Sequence, residues 1–102
     1  MSDANYIRQG KGSALNITAA TLVLAVSKDQ SIGQARVCRV SVVVAGTTAG
    51  SVYDSATVAG AAAANQIASI PNAVGTYLLD FPLLAGLVVT PGSGQTLAVT
   101  YD

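Results

Sequence analysis

Residues 34–45 read QARVCRVSVVVA. Valine is stiff at χ1 and packs well on a pleated surface, so this run predicts a β-strand. Alternation gives the strand two faces. One carries Arg36, Cys38, Val40, Val42 and Val44; the other carries Val37, Arg39, Ser41 and Val43. The first face is the more apolar and is expected to meet the core, with Arg36 at its rim. Side chains three apart on a strand point to opposite faces, so Arg36 and Arg39 are not expected to form one basic patch.

The flanking sequence extends the pattern. Upstream, residues 14–27 (ALNITAATLVLAVS) are apolar on both alternating sets, which predicts a strand covered on both faces over part of its length. Residues 28–33 (KDQSIG) supply a turn. Downstream, GTTAG (46–50) is a loop, and SVYDS (51–55) is a short strand. The alanine run ATVAGAAAA (56–64) favours helix, but Gly60 interrupts it and the stretch is short. It is expected to form one helical turn or a loop crossing the end of the domain.

NQIASI (65–70) is again extended and stops at Pro71. TYLLDF (76–81) alternates, with Tyr77, Leu79 and Phe81 on one face and Thr76, Leu78 and Asp80 on the other. Pro82 ends the pairing or puts the strand at an edge. LVVT (87–90) is a strand, PGSGQ (91–95) is the clearest turn in the chain, and TLAVTYD (96–102) points Leu97, Val99 and Tyr101 inward. About seven or eight short strands with turns every 8–12 residues or so predict an all-β fold. The expected architecture is a single-domain antiparallel β-sandwich of jelly-roll or Greek-key type over residues 14–102. Residues 1–13 (MSDANYIRQGKGS) form a polar N-terminal arm.

Composition narrows the function. Of 102 residues, 51% are hydrophobic and 10% charged, and five Lys plus Arg balance five acidic groups. A neutral chain with so little charge is poorly equipped to stay dispersed, which predicts that other copies or a partner cover some apolar surface. Charge balance gives no pull towards nucleic acid or an acidic membrane. No apolar run is long enough to span a bilayer, and no signal peptide opens the sequence, so synthesis is expected in the cytoplasm. Without His, a Ser-His-Asp triad is impossible. Cys38 stands alone, which leaves no zinc ligand set and no internal disulfide; its Val-rich setting predicts a small buried apolar residue. Asp29, Asp54 and Asp80 share no calcium loop. No catalytic residue, metal or cofactor is expected, and no small-molecule substrate. Candidate partner contacts are Tyr6 and Ile7 as anchors on the arm, the arm cations Arg8 and Lys11, and Arg39 on the outer face of the valine strand.

The pieces SVYDSATVAG (51–60), ANQIASIP (64–71), GTYLLDFP (75–82) and GLVVTPGSGQTLAVTYD (86–102) give the chain a family likeness. Over residues 46–102 it resembles small decoration, or cement, proteins from the heads of tailed bacteriophages. The resemblance implies a β-sandwich or jelly roll that binds as a homo-oligomer on the capsid exterior. Its partners would be the major capsid protein and its own copies, and its role to hold a DNA-filled head together. Similar β-modules also occur in tail fibres and tail tips. A receptor- or glycan-binding module, with a loop pocket around Tyr53 and Asn65, is therefore the alternative.

Overall fold

The computed structural model describes residues 12–25 and 35–102. The arm residues Tyr6, Ile7, Arg8 and Lys11 and the 28–33 turn lie outside them. Among the described residues are eight strands: β1 (Gly12–Ile17), β2 (Thr21–Ala25), β3 (Ala35–Val44), β4 (Gly50–Tyr53), β5 (Gln66–Ile70), β6 (Gly75–Leu83), β7 (Gly86–Thr90) and β8 (Thr96–Tyr101). A short 3-10 turn, Ala63–Asn65, follows the alanine run. The first strand begins at Gly12, two residues inside the stretch read as arm.

The strands form two antiparallel four-stranded sheets, ordered β1-β8-β3-β6 and β2-β7-β4-β5. The pairing is nested: first strand with last, second with seventh, third with sixth, fourth with fifth. One long two-stranded ribbon, rolled over into two layers, gives this order. Both layers contribute to a single core. Val37, Val40, Val42, Leu83, Leu97 and Val99 come from the first sheet, and Val52, Ile70, Leu87 and Val89 from the second. Most of these side chains are aliphatic and β-branched, as expected for two sheets about 10 Å apart.

Three expectations need correction. Residues 14–27 do not form one strand. The chain leaves the first sheet after Ile17 and joins the second at Thr21, so the doubly apolar run belongs to two layers. In β3, the expected core face is right only beyond Cys38. Ala35 and Val37 are buried before it, and Val40 and Val42 after it, while Val44 is half exposed. The pairing explains the switch. Val37 opposes Tyr101 and Arg39 opposes Thr100, so Cys38 is an extra residue that shifts the pleat by one. Cys38 is itself buried, as expected of a small apolar side chain. In β6, Phe81 is 44% exposed. An extra residue lies between Leu78 and Phe81, and Asp80 takes a left-handed backbone (φ 45°) there.

Each edge strand carries an extra residue relative to its inner neighbour. The shifts fall at Ala14/Ile17 in β1 and Leu22/Leu24 in β2, near Ile67 in β5, and beside Asp80 in β6. Pro82 also sits on the β6 edge. Bulges and proline blunt an edge against pairing with another strand.

Candidate partner-binding surface

The bulge at Cys38 decides what the outer face of the first sheet presents. Because it flips the pleat, Arg36 and Arg39 lie on the same outer face, not on opposite faces as simple alternation predicts. The two arginines are used differently. Arg36 Nε donates to Asp80 Oδ1 at 2.8 Å and its Nη2 to the Asp80 carbonyl at 2.8 Å. It straps the left-handed corner of β6. Asp80 is 44% exposed and pairs with Arg36 at the surface.

Among the described residues Arg39 has no comparable partner. Its backbone N–H donates to Thr100 Oγ1 at 3.1 Å. Its Nε is buried and makes no hydrogen bond. The side chain lies between Leu78 on β6 and Thr100 on β8, the residues that oppose it across the two ladders. Leu78 is 56% exposed. Further along the same face, Ser41 Oγ and Thr76 Oγ1 are 3.0 Å apart and satisfy each other. The result is a half-buried cation with an orphaned donor, flanked by an exposed leucine and threonine. Such a donor gains on meeting an acceptor from another molecule, because its desolvation cost is already incurred.

At one end of the sandwich, the loops 45–49, 71–74 and 91–95 are stitched together. Asn72 acts as a surrogate backbone: its Oδ1 accepts from Gly46 N and its Nδ2 donates to Gly46 O, both at 2.7 Å. Thr47 N donates to Ser93 O (2.8 Å), and Ser93 N donates to Thr48 Oγ1 (2.8 Å). The buried Gln95 completes the network, accepting from Gly92 N at 2.9 Å and donating to Pro71 O at 3.1 Å. Glycine is required where backbones touch. A Cβ on Gly46 would overlap the Ser93 carbonyl, and one on Gly92 the Thr48 carbonyl.

At the other end, Asp54 clamps the corner between the sheets. Only Leu84 and Ala85 separate β6 from β7, which belong to different layers. The Asp54 carboxylate accepts the backbone N–H groups of Leu84, Ala85 and Gly86, the shortest being Ala85 at 2.8 Å. No local signal reveals its role, since its partners are about thirty residues away. Asn65, named with Tyr53 for the alternative's loop pocket, bonds within its own loop. Asn65 Oδ1 accepts from Ala62 N and Nδ2 donates to Gly60 O, both at 2.9 Å, which commits its amide to its own loop.

Among the described residues no group of three or more His, Cys, Asp or Glu is placed to hold a metal ion. No helix of the described residues is long and apolar enough to cross a membrane. Comparison with protein families, with curated proteins and with solved structures finds no match for this chain.

Proposed function

We propose that this protein is a structural component of a phage virion, a decoration protein that binds the exterior of the head and bridges major capsid subunits. The observation that carries the reading is the outer face of the first sheet, where Arg39 holds a buried Nε without an acceptor beside the exposed Leu78. A surface of this kind contributes through contact, and arginine is among the side chains enriched at interface centres. The nested strand order favours the jelly-roll alternative over a simpler Greek key. The blunted sheet edges turn partners towards faces and loops rather than towards strand addition. Many copies on a repeating shell would add modest contacts into firm binding and would stabilise the assembled lattice by mass action. The tail-fibre reading loses support because Asn65 is tied into its own loop.

The test is to prepare heads with and without the protein and to follow DNA release on heating and at low salt. Complete heads are expected to release DNA at higher temperature, and add-back of the wild-type protein to restore that resistance. Arg39→Ala is expected to bind heads at least ~30-fold more weakly, corresponding to loss of an interface anchor of ~2 kcal/mol. Its own melting temperature should scarcely change. Heads equally robust without the protein would overturn the cement role.

A further inference from the structure

Among the described residues, Arg39 is a cation set in a neutral field. Its rung crosses all four strands of the first sheet: Ser13 on β1 opposes Thr100 on β8, Thr100 opposes Arg39, and Arg39 opposes Leu78 on β6. The next rung reads Ala98, Ser41 and Thr76. Neither rung carries an acid, and the sequence has no charged residue in 40–53, 55–79 or 81–101. On the other side of Arg39, Asp80 is committed to Arg36. Asp102 also lies beside Arg36, its N–H donating to the Arg36 carbonyl at 2.9 Å.

The hydroxyls around Arg39 do not serve its guanidinium. Ser41 and Thr76 bond to each other, and Thr100 Oγ1 accepts from the Arg39 backbone. Of the guanidinium nitrogens, Nε is both buried and unbonded. The neighbouring side chains on both rungs are shorter than arginine, except for Leu78. A surface laid on this sheet therefore meets the guanidinium and Leu78 first.

We propose that this rung receives a carboxylate from an Asp or Glu side chain of the protein it binds. The inference rests on the capsid-binding reading and names what the capsid surface must offer there. Charge and geometry select the occupant. A partner that covers the face takes water from a cation, and a counter-charge is needed to offset that cost. A planar guanidinium matches the two oxygens of a carboxylate, end-on through its terminal nitrogens or side-on through Nε once Leu78 swings aside. A nucleic-acid backbone calls for several cations, and the second arginine of this face is already neutralised.

Titration of the purified full chain onto heads that lack it tests the proposal. Arg39→Met keeps an apolar stem without the charge and is expected to bind at least ~30-fold more weakly; Arg39→Glu, which sets like charges face to face, should lose at least a further ~tenfold. Arg39→Met should melt no lower than the wild type, since it removes a buried donor that has no acceptor. Leu78→Glu places a carboxylate across the ladder from Arg39 and occupies the guanidinium from within. It should bind heads at least ~tenfold more weakly than Leu78→Gln, with its melting temperature held or raised. If Arg39→Met and Arg39→Glu bind alike, or Leu78→Glu and Leu78→Gln lose equally, the carboxylate is overturned while the capsid reading stands. A short DNA duplex bound as tightly as heads would overturn it too. Wild-type protein that binds no heads at all would remove both readings together.

Discussion

Replacing Asp54 by alanine should cost more stability than any other change of an exposed or half-buried polar group in this domain. Among the described residues the carboxylate is the one side chain hydrogen-bonded to the two-residue corner Leu84–Ala85, where the chain passes from one sheet to the other. It receives Ala85 N at 2.8 Å, Gly86 N at 3.2 Å and Leu84 N at 3.1–3.2 Å. A hydrogen bond to a charged acceptor contributes ~1.5–3 kcal/mol, less where water can substitute. Leu84 is exposed, and water takes over its N–H. Gly86 is buried, and its N–H is left without an acceptor. Counting the short Ala85 bond in full and the Gly86 bond in part gives ~2–3 kcal/mol for Asp54→Ala. For a domain of this size that corresponds to a fall of about 10–20 °C in melting temperature. Asp54→Asn keeps a single carbonyl oxygen where Oδ1 sits and loses the charge, so a fall nearer ~1 kcal/mol is expected. Circular dichroism melts and urea titration of the three proteins measure both steps. If the alanine variant melts within about 3 °C of wild type, the clamp contributes little and the reasoning fails.

Two further outcomes follow from backbone geometry. Gly46→Ala drives a methyl group into the Ser93 carbonyl and should cost ~3 kcal/mol or more, seen as a lowered urea midpoint at unchanged m-value. At the left-handed corner of β6, Asp80→Val should destabilise by ~2 kcal/mol, because a β-branched side chain resists φ 45°. Asp80→Gly should fall within ~1 kcal/mol of wild type, since relief of the backbone offsets the loss of a solvent-exposed ion pair with Arg36. Equal melting temperatures for the valine and glycine variants would contradict this account.

The layered architecture was legible because its central strands keep strict alternation over several residues. Leu97 and Val99 of β8 and Val40 and Val42 of β3 are buried as the pattern predicts. The break between β1 and β2 was not legible. Residues 18–20 read Thr-Ala-Ala, with neither Gly nor Pro to mark a corner, and Asn16 supplies the positive φ instead. The bulge at Cys38 was equally hidden. Register is set by the opposing strand, and Tyr101 and Thr100 lie more than sixty residues away. That one extra residue moved Arg36 to the outer face beside Arg39, where simple alternation had put the two arginines on opposite faces. The stitched tip was partly visible: PGSGQ announced its turn, while the reach of Asn72 to Gly46 and of Gln95 to Pro71 is purely tertiary.

The nested pairing also sets an order of events during synthesis. The β4–β5 hairpin joins neighbours in the chain and can zip as soon as both have left the ribosome. β3 then waits for β6, and β2 for β7. β1, made first among these strands, finds its only ladder partner when Thr96–Tyr101 emerges. Closing such distant segments incurs loop entropy before any contact repays it, so the ribbon must roll from its hairpin outward and seal late. Until then Ile17 and the valines of β3 stand bare in the crowded cell, and the hairpin's speed sets how long this apolar chain is at risk of finding the wrong neighbour.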